Sequence, residues 1–200
     1  MSLWGNNGSG RCNVPEPNTD FIAIAAGYNH SLGLKRDGTI VAWGANDYGV
    51  CNVPEPNTGF IGIAAGYFHN LALREDGSIV AWGANSGHQC DVPEPNTGFI
   101  AIAAGYGHSL GLKGDGSIVA WGDNWYGQCN VPKPNTGFIA IAAGYGHSLG
   151  LKQDGSIVAW GLNSESQCNV PEPNTGFVAV AAGGWHSLGL KQDGSIVALG

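Results

Sequence analysis

The chain has few charged residues and no basic cluster. Only 12% of its 200 residues are charged, and Lys and Arg together number 8 against 15 Asp and Glu. The formal charge of −7 comes from scattered acids, and no stretch gathers Lys or Arg as a phosphate-binding surface does. We therefore do not expect nucleic acid as a partner.

Long apolar runs are also missing. None approaches the roughly 18 to 20 residues that a membrane-spanning helix needs. No basic segment followed by an apolar run opens the chain, as a signal peptide would. We expect a soluble chain with no membrane partner, and with any targeting signal absent or trimmed.

Cysteine pairs with the spacing of zinc or redox sites are absent, since no C-x-x-C occurs. An odd number of cysteines cannot pair fully within one chain, and equivalent positions in neighbouring repeats are normally too far apart for a disulfide. We interpret the five cysteines as small buried thiols, which favours a reducing compartment such as the cytoplasm but leaves the localisation open. They lie 39 residues apart, at Cys12, Cys51, Cys90, Cys129 and Cys168.

What the chain does contain is one stretch written five times. Residues Phe21 to Gly44 read FIAIAAGYNHSLGLKRDGTIVAWG, and near-copies begin at Phe60, Phe99, Phe138 and Phe177. A fixed period of 39 residues indicates a repeat architecture, in which no unit buries its apolar faces alone. We therefore expect residues 1–200 to form a single domain with one continuous core.

Each repeat contains four segments with strand patterning. Phe21–Ala26 is apolar on both alternating faces, which predicts an innermost strand a, and Ser31–Lys35 is predicted as strand b. Asp37-Gly38 predicts a type I′ hairpin into strand c, Thr39–Trp43. A short extended piece at Cys51–Val53, ended by prolines, is predicted as an outer strand d. Glycine inside strand b suggests a bulky neighbour, for which we expect a Trp from the adjacent unit.

Four short strands in about 40 residues are typical of a β-propeller blade. We predict an all-β fold, a propeller of five 39-residue, four-stranded blades, with a β-solenoid as the structural alternative. Both termini lie at the same phase of the repeat, so strand exchange would close the ring, the N-terminal piece giving strand d and the C-terminal piece giving a, b and c. Leu3–Gly5 and Ala198–Gly200 then compete for the same position, the end of strand c in the blade shared by the two termini. A closed ring predicts a monomer, and an oligomer is the alternative if five blades do not close.

The repeat resembles that of the regulator-of-chromosome-condensation propeller superfamily. The resemblance rests on Ile24–Leu34, on Asp37-Gly38, and on Ala42-Trp43-Gly44 followed by Asn46 and Gly49, and it recurs over the whole chain. The Val-Pro pair after strand d is similar to the short-repeat bacterial branch that includes a propeller-type β-lactamase inhibitor. The resemblance implies a protein-binding platform, in a family whose members typically close with seven blades. Nucleotide exchange on a small GTPase, known in the family, relies on long insertions that this chain lacks.

Differences between the copies concentrate in two loops. Between Cys90–Gln128 and Cys129–Gln167, seven of 39 positions differ, and four of these lie in the loop after strand c. Large aromatic residues that occur in single copies are not explained by a common core, and such side chains often anchor protein interfaces. We predict a protein-binding surface on the face of the a–b and c–d loops, made by Tyr48, Phe68, Trp125, Tyr126 and Trp185. Drift among duplicated repeats is the alternative explanation.

The residues that recur in the copies are interpreted as structural. They are the Trp series Trp43, Trp82, Trp121 and Trp160, and the His series His30, His69, His108, His147 and His186, whose imidazoles we expect to tie down the a–b turn. No catalytic group, metal or cofactor is expected. The recurring Tyr28, Tyr67, Tyr106 and Tyr145 are interpreted as packing residues in preference to a sugar platform, but a carbohydrate-binding propeller with one pocket per blade remains an alternative function. A symmetric scaffold without a specific ligand is another.

Overall fold

The computed structural model describes residues 5–200, and this part of the chain forms five three-stranded antiparallel sheets with fifteen strands. The strands are β1 Phe21–Ala26, β2 His30–Lys35, β3 Ile40–Gly44, β4 Phe60–Ala65, β5 His69–Arg74, β6 Ile79–Gly83, β7 Phe99–Ala104, β8 His108–Lys113, β9 Ile118–Gly122, β10 Phe138–Ala143, β11 His147–Lys152, β12 Ile157–Gly161, β13 Phe177–Ala182, β14 Ser187–Lys191 and β15 Ile196–Leu199. Each sheet takes three consecutive strands in chain order. The all-β prediction and strands a, b and c are thus confirmed.

The hairpin between the second and third strands differs from the predicted type I′ turn. Gly38 has a φ of 79°, whereas Asp37 is not among the residues with positive φ. Gly38 N donates to Lys35 O and Lys35 N donates to Thr39 O, which is a type I turn followed by a glycine bulge. Asp37 Oδ1 accepts from Thr39 N at 3.0 Å and from Thr39 Oγ1 at 2.7 Å, and these bonds lower the pKa of Asp37.

The core lies between consecutive sheets. Leu32, Leu34 and Ile40 of the first sheet pack against Phe60 and Trp82 of the second, and all five are at most 6% exposed. Each later pair of sheets repeats this arrangement, except that the last one has Leu199 where the earlier sheets have Trp. Every sheet therefore presents two leucines and an isoleucine on one face, and a Phe with its neighbours on the other.

The glycine of the second strand is covered by a Phe of its own sheet, not by the Trp expected from a neighbour. A Cβ placed on Gly111 would lie 2.5 Å from Phe99 Cε1 and 3.3 Å from Ile79 Cδ1 of the preceding sheet. The benzyl ring fills the space because β7 and β8 pair with Phe99 opposite Lys113, beyond a register shift. Glycine at this position leaves room for the Phe ring.

The predicted fourth strand, Cys51–Val53, is not a strand. Asn46 Oδ1 accepts from Cys51 N at 2.8 Å, and Asn46 Nδ2 donates to Asn52 Oδ1 at 2.9 Å. Side-chain amides therefore satisfy polar groups that a ladder would otherwise use. We call the segments between one sheet and the next, residues 45–59, 84–98, 123–137 and 162–176, the connectors. In the described part of the chain the blades have three strands and a connector instead of the four strands predicted.

Each connector joins two sheets through buried hydrogen bonds. In the first connector, Val50 O accepts from Trp82 Nε1 at 2.9 Å and from Asn70 Nδ2 at 2.8 Å, both in the following sheet. Asn57 of the same connector turns back to the preceding sheet, where its side chain bonds Ile40 N at 2.8 Å and Ile40 O at 2.9 Å. The segment after one sheet thus packs on the outer edge of the next.

This connectivity contradicts the predicted closure by strand exchange. The N-terminal segment packs on the first sheet, since Arg11 O accepts from Trp43 Nε1 at 2.9 Å and from Ser31 Oγ at 3.2 Å. It therefore does not complete the last blade. The predicted competition between Leu3–Gly5 and Ala198–Gly200 involves Leu3 and Trp4, which lie outside the described residues.

The five sheets form an open arc. In residues 5–200, the hydrophobic clusters join consecutive sheets, and none joins the first sheet to the last. Ile24 on the outer face of the first sheet is 82% exposed, and Ile196 on the outer face of the last is 67% exposed, whereas Ile118, which corresponds to Ile196, is 3% exposed. The prediction of a closed five-blade ring is therefore wrong.

Candidate functional site

The turns after the first strands and the first halves of the connectors lie on one side of the arc, which we call the loop face. Ala45 N donates to Asn29 O at 2.9 Å, and Asp123 N donates to Gly107 O at 2.8 Å, so each connector is bonded to the turn beside it. The hairpin turns with Asp-Gly lie at the other ends of the strands, on the opposite rim. The copies differ most on the loop face.

Four tyrosines and a tryptophan form a continuous row of contacting rings along the loop face, which we call the stack; its two end pairs are stacked, with interplanar angles of 16° and 19°, and its two inner pairs are tilted by 51° and 37°. Ring centroids are 3.9 Å apart for Tyr28 and Tyr67, 4.7 Å for Tyr67 and Tyr106, 4.4 Å for Tyr106 and Tyr145, and 4.8 Å for Tyr145 and Trp185. The stack borders an axial cavity of 330 Å³ to which all five sheets contribute. A hydrogen bond with Tyr28 and partial desolvation raise the pKa of Tyr67 to about 12, so this hydroxyl is uncharged at neutral pH.

The predicted residues Tyr48 and Phe68 meet at one end of this stack. Their ring centroids are 5.2 Å apart, and Phe68 also lies 4.7 Å from Tyr67. Tyr48 is 65% exposed and has a φ of 60°, a left-handed conformation that a bulky side chain adopts at a cost. Phe68 is half-buried and supports the stack, and Tyr48 offers the exposed ring.

The other predicted residues lie further along the face. Trp185, 50% exposed, ends the stack, and Trp125 and Tyr126, 86% and 44% exposed, lie beside its middle. Tyr126 fits against Gly146, where an added Cβ would be 2.8 Å from Tyr126 Cδ2. The structure thus brings all five predicted aromatic residues to one face, together with the tyrosines that the sequence suggested were packing residues.

Asp123 is a functional candidate that the sequence reasoning did not select. Its Oδ1 accepts from Trp125 N at 3.1 Å, and its Oδ2 accepts from Gln128 Nε2 at 3.3 Å. It borders a hollow of 280 Å³ lined by Tyr106, Trp125, Tyr126 and Tyr145, and a second hollow of 280 Å³ that reaches Tyr48 and Phe68. The available signal was that the other copies have Ala45, Ala84 and Leu162 at this position.

Basic residues are concentrated on one side of the arc, whereas acids lie on both sides. The loop face has the acids Asp47, Asp91, Asp123 and Glu165, and Asp91 Oδ2 forms a hydrogen bond of 2.7 Å with His88 Nδ1. The opposite rim has Lys35, Arg36, Arg74, Lys113, Lys133, Lys152 and Lys191, which are all of the Lys and Arg residues except Arg11. The same rim also has eleven of the fifteen acids, so the loop face is distinguished by its aromatic residues and by having Arg11 as its single Lys or Arg, not by an excess of acid.

The recurring histidines form hydrogen-bond bridges between neighbouring sheets. His69 Nε2 lies 3.0 Å from Ser109 Oγ, which donates to Gln89 O at 2.9 Å. Since the hydroxyl proton is used on that carbonyl, His69 Nε2 carries the proton that the serine oxygen accepts. The same bridge joins His108 to Ser148 and His147 to Ser187, and Asn70 takes the place of the serine for His30.

The bridging histidines are neutral. Burial lowers the pKa of His69 to about 4 and that of His108 to about 3, and it also lowers the pKa of His30 and His147. His186, in the last sheet, is exposed. Within residues 5–200, no group of three or more His, Cys, Asp or Glu side chains is arranged to hold a metal ion.

The cysteines are half-buried on the connectors. Cys51 Sγ donates to Ala45 O at 3.3 Å, and Cys90 and Cys129 make the equivalent contacts. Burial raises the pKa of the Cys90, Cys129 and Cys168 thiols to about 11, so they are protonated at neutral pH. No helix in the described part of the chain is long and apolar enough to cross a membrane.

A family model identifies the repeat. The model of the regulator of chromosome condensation (RCC1) repeat matches residues 21–50, 60–89, 99–128 and 138–167, more than half of the chain. The chain belongs to the RCC1 repeat family. Compared with curated proteins, the chain gives no match. The five sheets and their connectors are therefore blades of an RCC1-type propeller.

Solved structures share this fold. Prp20p of Saccharomyces cerevisiae, described with its binding to Gsp1p and histones, is 24% identical with a TM-score of 0.77, over 92% of this chain and 58% of Prp20p. The ectodomain of the receptor kinase CR4 of Physcomitrella patens is 26% identical with a TM-score of 0.79, over 98% of this chain and 54% of that one. The ectodomain of the receptor kinase ACR4 of Arabidopsis thaliana is 25% identical with a TM-score of 0.77, over 98% of this chain and 72% of that one. The chain thus spans less than two thirds of the length of Prp20p and CR4.

Proposed function

We propose that this RCC1-type propeller is a non-enzymatic protein-interaction module that binds its partner through the loop face. The observation that carries the proposal is that exposed aromatic side chains found in single copies gather on one side of the arc, with Trp125 86% and Trp185 50% exposed. Rigid aromatic rings contribute large contact areas at a low entropic cost. The binding of Gsp1p and histones by Prp20p supports a protein as the kind of partner.

Packing between the tyrosines argues against the carbohydrate alternative. Sugar binding on an aromatic platform needs the ring face to be open, whereas Tyr67 has Tyr28 stacked on it at 3.9 Å and the tilted ring of Tyr106 against it at 4.7 Å. The tyrosines instead form one shared surface of contacting rings. Tyr48, Trp125 and Trp185 lie beside this surface with exposed rings, and we assign them to partner contact.

A peptide library displayed on phage tests the proposal, because it samples many partner sequences at once. Peptides selected on the wild-type chain are measured by calorimetry against Trp125→Ala and Trp185→Ala, and against Lys133→Ala on the opposite rim as the matched control. We expect each Trp variant to weaken binding about tenfold or more, the range of an interface anchor, and Lys133→Ala to leave it unchanged. If the peptides bind both Trp variants normally and lose affinity for Lys133→Ala, the interface lies on the opposite rim and the proposal is contradicted.

A further inference from the structure

The hollow beside Asp123 has the composition of a cation site. Four aromatic residues and one carboxylate line its 280 Å³, namely Tyr106, Trp125, Tyr126, Tyr145 and Asp123. The negative faces of aromatic rings attract a cation, and Trp does so most strongly. The volume is slightly below the range of about 300–1,000 Å³ for pockets that hold drug-sized ligands. It suits one side chain of a partner.

Asp123 has capacity for a further donor. Its two observed hydrogen bonds come from neutral groups, Trp125 N and Gln128 Nε2, whereas a carboxylate has about four acceptor positions. Among the described residues it makes no ion pair, since the pair present there joins His88 and Asp91. An uncharged apolar occupant would desolvate this carboxylate without compensation, whereas a cation would pair with it.

The hollow is built by a combination of residues that the other copies lack. Asp123 and Trp125 correspond to Leu162 and Ser164 in the next copy and to Ala45 and Asp47 in the first copy, which shares the tyrosine of Tyr126 as Tyr48. Room for the walls comes from two glycines of the neighbouring turns. A Cβ on Gly107 would lie 3.3 Å from Asp123 Cβ, and one on Gly146 would lie 2.8 Å from Tyr126 Cδ2.

We propose that the hollow formed by Asp123 and its four aromatic neighbours binds the ammonium head of a lysine side chain on a partner protein. The inference rests on the loop face being the partner-binding surface and names the chemistry that this surface recognises. The scarcity of basic side chains on this face supports it, because Asp47, Asp123 and Glu165 lie here and every Lys and Arg except Arg11 lies on the other side. A lysine of a partner would therefore meet little like-charge repulsion at the hollow.

The test uses a short peptide with one central dimethyl-lysine, which keeps the charge and is less hydrated than lysine. The same peptide with norleucine is the uncharged control, and free choline is the small-molecule control. Binding is followed by NMR titration of the Trp125 indole. We expect the dimethyl-lysine peptide to bind at least tenfold more tightly than either control. Equal binding of the norleucine peptide, equal binding of choline, or no shift of the Trp125 indole would overturn the assignment.

Variants separate this inference from the proposed function. Asp123→Asn should reduce dimethyl-lysine binding about tenfold, Gly146→Ala should reduce it by displacing Tyr126, and Glu165→Gln, an acid on the same face of the next blade, should not. An unaffected Asp123→Asn variant would contradict the inference. If the peptide does not bind but phage-selected peptides still depend on Trp125 and Trp185, the inference fails and the proposed function stands. If it binds and the selected peptides ignore both Trp residues, the proposed function fails.

Discussion

Each buried histidine holds two blades together through one proton. His69 donates from Nε2 to the serine hydroxyl of the next blade, and that hydroxyl donates to the connector between the two blades. Protonation of the second ring nitrogen would place a charge in the interior without a partner, since His69 Nδ1 and His108 Nδ1 have no hydrogen-bond partner and are buried. The neutral form of these rings is therefore part of the folded state.

Stability should fall as the pH is lowered below about 6.5. The pKa values of about 4 for His69 and about 3 for His108 lie below the ordinary value of 6.5, so the unfolded chain binds protons that the folded chain does not. The contribution is fully present above pH 6.5 and is lost as the pH falls toward the folded pKa values. Between pH 7 and pH 5 each of these histidines should cost roughly 2 kcal/mol.

Urea unfolding at several pH values checks this prediction. His69→Gln should flatten the dependence of the unfolding free energy on pH, although it lowers the stability at pH 7 because the bridge to Ser109 is altered. Gln153→Ala, at an exposed position without an ionisable side chain, is the matched control and should preserve the pH slope. An unfolding free energy that is the same at pH 5 and pH 7 would contradict the neutral-histidine account.

The connectors replace the fourth strand of other propellers, because their polar groups hydrogen-bond to the sheets on both sides. Each one uses carbonyl groups for the following blade and an Asn side chain for the preceding blade. Asn96 bonds Ile79 N at 2.8 Å and Ile79 O at 2.9 Å, so its amide imitates the pairing of a neighbouring strand. The outer edge of the third strand is thereby covered where it begins, which limits edge-to-edge association.

Removing one such amide should destabilise the propeller. Asn96→Ala deprives the main chain of Ile79 of both partners, at a cost of about 1–3 kcal/mol for partly buried groups. The measurement is the free energy of unfolding in urea, with Thr97→Ala, an exposed neighbour on the same connector, as the control. Equal stability of the two variants would show that the connector is not fixed by this contact.

The arc formed by residues 5–200 has two unequal apolar ends. The last blade exposes Leu190 at 38% and Ile196 at 67%, and the first blade exposes Ile24 at 82%. Inside the arc, surfaces equivalent to these two ends pack against each other at every interface between blades. The two ends are therefore complementary, and a second copy of the chain fits the pattern of the four interfaces already present.

We expect the chain of residues 1–200 to self-associate head to tail at high concentration. Ile24→Lys and Ile196→Lys should each keep the chain monomeric in sedimentation experiments, because a charge would be buried in the contact. Ile100→Lys, at a similarly exposed position of the middle blade, is the control and should not. A mixture of the two monomeric variants should form a heterodimer through the two unaltered ends, and a wild-type chain that stays monomeric at all concentrations would contradict the expectation.

Local pattern was sufficient for the strands but not for their assembly. Alternating apolar residues and the Asp-Gly pair located three strands of every blade, since these signals depend on neighbours in sequence. The connector was mistaken for a strand because its Asn46 and Asn57 side chains replace ladder bonds over distances that periodicity does not show. The phase of the repeat does not show whether a connector packs on the blade before it or on the blade after it. Because each connector packs on the following blade, the N-terminal segment covers the first blade and does not close the ring. Asp123 could not be selected from the sequence, because the hollow that it lines exists only where the fold places Tyr106 and Tyr145 of two blades beside it.

The tryptophan indoles provide the most direct test of the claim that the loop face is the binding surface. The Nε1 protons of Trp82, Trp121 and Trp160 are donated to connector carbonyls and that of Trp43 to Arg11 O, whereas Trp125 and Trp185 lie exposed on the loop face. A chain labelled with ¹⁵N-tryptophan is titrated with a phage-selected peptide and followed by two-dimensional NMR. The account predicts that the indole signals of Trp125 and Trp185 shift and that those of the four inner residues do not. Shifts confined to the inner residues, or unchanged Trp125 and Trp185 signals at saturation, would contradict it.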